Sequence, residues 1–269
     1  MNFNDYDHHF MMVCDGHGGS LAAIKVKEIF EEHLKAQGID IDGTKNERHK
    51  SYAHVMFQAF LEVDKKLLSN VPEFREGTDF SGTTVNCCFV AEHEIVCANA
   101  GDTRCVLSND QKAIDLSQDH KPTRLDEKER IERAGGHVAN GRVNGLHGVA
   151  RSLGDFGYKV NSGGDPNKQM VTCRPDVLVY PSSISADEFI LICCDGVWDV
   201  MSSQEAVTFI HECLIVKKVP TLELCLQALL DKCLEKGSND NMTATIIALP
   251  GFCRRFNYFR PPSKACTIM

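Results

Sequence analysis

No apolar run in this 269-residue chain approaches the length of a membrane span. The polar, acidic stretch Met1-Asn2-Phe3-Asn4-Asp5-Tyr6-Asp7 holds no signal-peptide core. Thirteen cysteines are present, yet no Cys-x-x-Cys pair, so the spacing of zinc sites and redox dithiols is missing. Cys14, Cys87, Cys97, Cys193 and Cys194 sit inside apolar runs, where a free thiol behaves as a small hydrophobe. These features predict reduced thiols and a cytoplasmic protein. A basic footprint is also lacking: the formal net charge is −8, which argues against nucleic acid as a partner. Internal repeats and low-complexity segments are absent as well. What remains is enough apolar sequence for one large domain or two small ones.

Helical spacing is clear over Ser20–Ala36, with Val26, Ile29, Phe30 and Leu34 on one face. It recurs from Tyr52 to Leu67, through Val55, Met56, Ala59, Phe60 and Val63. Between Val85 and Leu107 the pattern changes to short β-rich runs, read as antiparallel hairpins. Thr123-Arg124-Leu125-Asp126 offers a capping box for a short charged helix ending near Gly135-Gly136. Residues 158–176 read as an irregular surface flap. A second capping box, Ser202 with Glu205, opens another helix, and Thr221–Leu234 forms the last. Strand Met242–Leu249 is expected to close the domain. Strands clustered together, with helix pairs inserted between them, predict an α+β fold of layered sheets covered by helices.

Four distant aspartates share one local design. Asp15 follows Phe10–Cys14, Asp102 follows Ile95–Ala100 and Gly101, Asp195 follows Phe189–Cys194, and Asp240-Asn241 precedes Met242–Leu249. Carboxylates at strand ends can converge on one rim of a sheet, and converged carboxylates repel unless cations lie between them. The pattern therefore predicts a hard-metal, hydrolytic site.

An Asp-Gly pair alone is also a common turn dipeptide, so the ordered set of motifs carries the argument. Asp15-Gly16-His17-Gly18-Gly19 stands at a strand–helix junction. It is followed by Ser81-Gly82-Thr83-Thr84, Gly101-Asp102-Thr103-Arg104, Asp119-His120-Lys121-Pro122 and Arg142-Val143-Asn144-Gly145. Then come Ala150-Arg151-Ser152-Leu153-Gly154-Asp155, Cys194-Asp195-Gly196-Val197-Trp198-Asp199 and Gly237-Ser238-Asn239-Asp240-Asn241-Met242-Thr243. Over residues 8–249 this series resembles the metal-dependent serine/threonine protein phosphatases of type 2C.

The resemblance implies a four-layer α-β-β-α sandwich of two antiparallel sheets flanked by helices. It implies two Mn²⁺ or Mg²⁺ ions sharing a water that attacks phosphoserine or phosphothreonine. Asp15 resembles the bridging ligand, with the backbone carbonyl of Gly16 a second contact, and Asp195 and Asp240 resemble ligands of the other ion. His17 resembles the acid that protonates the leaving alkoxide. Asp102 and Asp199, with Asp195, resemble a weaker third metal site. All-oxygen ligation suits these hard ions, and no cysteine is needed as nucleophile.

Two departures stand out. The family's first strands carry a phosphate-gripping arginine and a Glu-Asp pair, and no such segment precedes Phe10. Asp5 and Asp7 lie too close to the Asp15 strand to replace it, and Arg151 and Arg142 are weak substitutes for the arginine. The expectation is a shortened version of a longer protein. The alternative is a silent relative that acts as a membrane-tethered phosphoprotein scaffold. The second departure lies in residues 250–269, read as a flexible tail after a 1–249 phosphatase domain. They hold Arg254, Arg255, Arg260 and Lys264 and no acid. The tail finishes in Cys266-Thr267-Ile268-Met269, a C-a-a-X pattern favouring farnesyl on Cys266. A lipid and a basic tail together would place a monomeric enzyme on a cytoplasmic membrane face, among its phosphoprotein substrates.

Overall fold

The computed structural model describes residues 9–39, 51–91, 93–160, 164–183, 186–216, 219, 221–255 and 266–268. Strand β1 (His9–His17) is followed by helices α1 (Leu21–Ala36), α2 (Tyr52–Asn70) and α3 (Pro72–Arg75). Strands β2 (Gly82–Val90), β3 (Glu94–Ala100), β4 (Arg104–Asn109) and β5 (Lys112–Asp115) come next, then helix α4 (Leu125–Arg133). Three two-residue strands follow: β6 (Val138–Ala139), β7 (Arg142–Val143) and β8 (Leu153–Gly154). Strands β9 (Asp176–Pro181) and β10 (Asp187–Cys193) lead to α5 (Asp195–Trp198), α6 (Ser203–Ile215) and α7 (Leu222–Glu235). The order ends with β11 (Ala244–Ala248), α8 (Pro250–Arg255) and β12 (Cys266–Ile268).

Two five-stranded antiparallel sheets result. One runs β1-β2-β3-β9, with β8 paired to the start of β2; the other runs β12-β11-β10-β4-β5. The period of two along each strand sorts its side chains between layers. On β1, Met11 and Val13 face the second sheet, where they meet Ile190, Ile192, Ile247 and Leu107. Phe10, Met12 and Cys14 face the other way, onto Val26, Phe30 and Phe60 of α1 and α2. On β10, Phe189, Leu191 and Cys193 turn to α6 and α7 and pack with Ile210, Leu226 and Leu229. The layers are therefore helix, sheet, sheet, helix, as expected.

Several local expectations change. Strands β2 and β3 form the predicted hairpin, but Gly101-Asp102-Thr103 then carries the chain from one sheet to the other, so β4 pairs with β10 and not with β3. The Ser202–Glu205 capping box is present, whereas Thr123 caps nothing. Helix α4 starts at Leu125, and its preceding residue Arg124 directs its guanidinium onto Asp126 and Glu127. The folded body also extends past residue 249. Phe252 of α8 is fully buried against Phe189, and β12 pairs antiparallel with β11, so Met242–Leu249 is not an edge. The physical reason is the β11 edge itself, whose open N–H and C=O groups are satisfied by another strand. The cysteines whose side chains are described are free, and all of them but Cys14 are buried.

Candidate active site

Each acidic motif lies where its strand runs out, and glycine makes the approach possible. On β1, Asp15, Gly16 and His17 pair with Thr84, Thr83 and Gly82 of β2. Asp195 opens the short helix α5 directly after β10, and Asp240 precedes β11, its strand neighbour. A Cβ on Gly196 would lie 2.4 Å from the Asn241 carbonyl, so only glycine lets the Asp195 and Asp240 segments close together. Asp102 sits in the crossover between the sheets. That crossover is held by the Thr84 Oγ1–Thr103 Oγ1 bond (2.7 Å) and by Asn86 Nδ2 donating to the Thr103 carbonyl (3.0 Å).

Ligand atoms of Asp15 and Asp195 lie within 4.8 Å of each other, and their electrostatics reflect that crowding. Burial, followed by the charges of Asp102 and Asp240, pushes Asp15 up to about 6. Burial, followed by Asp102 and Asp15, pushes Asp195 up to about 7, with Asp199 adding to it. Asp102 is almost fully buried, and its Oδ1 has no hydrogen-bond partner. Its Oδ2 accepts from Lys121 Nζ at 2.6 Å, and the same ammonium lies 3.9 Å from Asp195 Oδ2. Crowded acids, an orphaned buried oxygen and one lysine answering several negative charges are what a cation site of oxygen ligands requires. The residues fit Mg²⁺ or Mn²⁺. Cys194 stands within the same group, its Sγ close to Asp15 and Asp195 carboxylate oxygens. Burial pushes that thiol up to about 11, which leaves it neutral and a poor ligand for a hard ion.

His17 projects beside this cluster, about one-third exposed. Its Nε2 donates to Asp155 Oδ2 at 2.8 Å. Burial would lower the pKa of the ring, but Asp155, Asp15 and Asp102 together hold it above the ordinary histidine value. Asp155 is buried, yet His17 and Ser152 keep its carboxyl below the usual range. Its backbone is left-handed (φ 50°), an unusual conformation for a non-glycine residue. The carboxylate fills the space a side chain at position 82 would take, because a Cβ on Gly82 would lie 2.0 Å from Asp155 Oδ2.

Asp155 and Lys121 stand inside the sequence motifs, but their roles emerge only from the fold. His147, whose ring edge meets His17 at 5.0 Å between centroids, carries no motif signal at all. The signal for Asp155 was the pairing of Ser81-Gly82 with Leu153-Gly154, visible only once β8 joins β2. Arg151 is unavailable as a phosphate grip: it donates to buried Glu127, to Asp176 Oδ1 (2.7 Å) and to the Arg174 carbonyl. Arg142 bonds the Leu146 carbonyl at 3.0 Å in the β6–β7 hairpin region. Asp5, Asp7 and the side chain of Cys266 lie outside the described residues.

The rim thus gathers buried acids suited to a hard cation and a histidine–carboxylate pair at one end of a two-sheet sandwich, an arrangement compatible with a metal-dependent hydrolase. Comparison with known proteins makes the class specific. The family model "Protein phosphatase 2C" matches residues 2–242. Paramecium tetraurelia "Probable protein phosphatase 2C 6" is 38% identical, across 90% of this chain and 83% of its own length. Human "Protein phosphatase 1A" is 36% identical, across 90% of this chain and 62% of its own. Among solved structures, a phosphatase from Toxoplasma gondii superposes with a TM-score of 0.78 at 20% identity, covering 97% of this chain and 88% of that one. The chain belongs to the protein phosphatase 2C family of metal-dependent serine/threonine protein phosphatases. No helix among the described residues is long and apolar enough to cross a membrane.

Proposed function

We propose that this chain hydrolyses phosphoserine and phosphothreonine in proteins by direct attack of water, with His17 as general acid. Two Mn²⁺ or Mg²⁺ ions, when bound, supply a nucleophilic water near neutral pH and offset the charge of the phosphoryl oxygens. Asp15, the Gly16 carbonyl, Asp195 and Asp240 would hold them, and Asp102 and Asp199 would serve a weaker third ion. The supporting observation is the gathering of acids at this rim, where burial and then the charges of neighbouring aspartates lift both Asp15 and Asp195. His17 carries the proton for the serine or threonine alkoxide, whose own basicity makes it a poor leaving group. Asp155 fixes the ring through Nε2, so that Nδ1 is the nitrogen left to face substrate. No covalent phosphoenzyme step is needed.

The test is hydrolysis of a phosphoserine peptide by the purified chain with Mn²⁺, with Asp195→Asn as control. Turnover that needs the metal and disappears in the variant supports the reading. A folded chain that binds Mn²⁺ and gives no turnover overturns it.

The membrane part of the reading rests on the Cys266-Thr267-Ile268-Met269 pattern. Backbone pairing of β12 with β11 opposes it, because a farnesylated, membrane-directed Cys266 would have to leave that edge. Intact mass of the chain from a eukaryotic host decides whether the lipid is added.

A further inference from the structure

Beside the aspartate rim lies a second cluster with different ligand chemistry. His17 Nε2, His147 Nε2 and Asp155 Oδ2 come from the end of β1, the loop after β7 and the turn after β8. Suitable ligand atoms of the three residues lie within 4.8 Å of one another. The carboxylate oxygen is 2.8 Å from the first nitrogen and 3.5 Å from the second. A tetrahedral zinc with ordinary ligand distances asks for donor–donor separations of about 3.3 Å. One separation is already near that value, and the other opens to it with a small swing of the partly exposed His17 ring.

The hydrogen bonds of the cluster do not account for His147. Its side chain is nine-tenths buried, and its Nε2 has no hydrogen-bond partner. The ring lies between His17 and Tyr158, with centroids at 5.0 and 4.9 Å, and its Nε2 faces Asp155 Oδ2 at 3.5 Å. A buried, unpartnered ring nitrogen aimed at a carboxylate that already serves another imidazole is costly as a packing element alone. As a third donor it is complete.

We propose that His17, His147 and Asp155 form a Zn²⁺ site, separate from the hard-ion centre, whose occupancy turns the phosphatase off. Two imidazoles and one carboxylate favour zinc over Mg²⁺ or Mn²⁺, which seek oxygen. Three protein donors leave a fourth position open, on the side where His17 meets solvent. Zn²⁺ on His17 Nε2 displaces the proton there to water and leaves Nδ1–H on a neutral, metal-bound ring, a far weaker acid than the imidazolium that would protonate the alkoxide. The inhibitory consequence rests on the reading of His17 as general acid; the binding does not.

The experiment uses the whole chain with Mg²⁺ saturating the aspartate centre, so that added ions report the second cluster. Co²⁺ should give the intense visible bands of a four- or five-coordinate, nitrogen-ligated ion, displaced by one equivalent of Zn²⁺. His147→Gln should weaken Zn²⁺ by at least about tenfold and remove most of the zinc sensitivity relative to its own zinc-free rate. Should that variant not fold, histidine ring NMR of the unmodified chain replaces it: Zn²⁺ must shift the His17 and His147 signals together. Only the weak spectrum of octahedral, oxygen-ligated Co²⁺, or unchanged zinc affinity in His147→Gln, overturns the site. Zinc that binds as described without slowing phosphoserine turnover supports the site and overturns the acid role of His17.

Discussion

His17 Nε2 and Asp155 Oδ2 face each other at 2.8 Å, although 138 residues separate them in sequence. The carboxylate occupies the ring nitrogen turned away from the proposed substrate position, which fixes both the tautomer and the tilt of the imidazole. Replacement of Asp155 by Asn should therefore act according to the leaving group. With a phosphoserine peptide kcat should fall on the order of tenfold or more. With p-nitrophenyl phosphate, whose leaving group needs little protonation, it should change far less. Equal losses on the two substrates would mean that Asp155 supports only the fold.

Removal of divalent ions should make stability depend on pH in an unusual direction. Asp15 and Asp195 are raised from an ordinary value of 3.8 to about 6 and about 7. The folded, metal-free protein then holds more protons than the unfolded chain between about pH 4 and pH 7. Stability from these groups is present below pH 4 and is lost as pH rises through 6 and 7. The thermal melting temperature in EDTA should therefore drop as pH rises across that window. Saturating Mn²⁺ should flatten the curve, because the cations hold the ionised forms.

Gly82→Ala should damage catalysis without replacing a polar side chain. The new methyl would lie 2.0 Å from Asp155 Oδ2, so the carboxylate must leave its seat. A cost of about 1–3 kcal/mol in stability is expected, together with the same leaving-group signature as Asp155→Asn. Urea unfolding and the two-substrate assay check both parts.

Arg151→Ala should destabilise, with no selective effect on KM. Its guanidinium joins Glu127, which is fully buried, to Asp176 on β9. Its removal leaves Glu127 with Arg130 and Arg124 and costs the carboxylate its charge-assisted hydrogen bonds from Arg151, about 1.5–3 kcal/mol. A large rise in KM at unchanged melting temperature would instead restore Arg151 as a phosphate contact.

The sequence made the layers legible because each strand alternates apolar residues toward two different cores, as with Met11 and Val13 against Phe10 and Met12. Asp15, Asp195 and Asp240 were legible for a related reason: each carboxylate is tied by one or two residues to an apolar run. The His17–Asp155 contact was not, since it depends on β8 pairing with β2 and on two glycines packed where neither motif alone implies the other. His147 was invisible for the same reason. The crossover at Asp102 was misread because a Gly-Asp turn between two strands looks identical whether the second strand returns to its own sheet or enters the next. Thr123 resembled a cap because the spacing was right, but Arg124 binds Asp126 first.

Asp15 and His17 share one strand end, so their separation is set by covalent geometry alone. Asp195 and Asp240 flank strands of the opposite sheet, so their backbones stand across the gap between layers from Asp15, while ligand atoms of Asp15 and Asp195 reach within 4.8 Å of each other. That gap is filled by Met11, Val13, Ile190, Ile192 and Ile247. These aliphatic side chains act as a calliper for the cation centre. A methylene added or removed among them would alter how far apart the two halves of the centre stand, and with it the size of ion they accept.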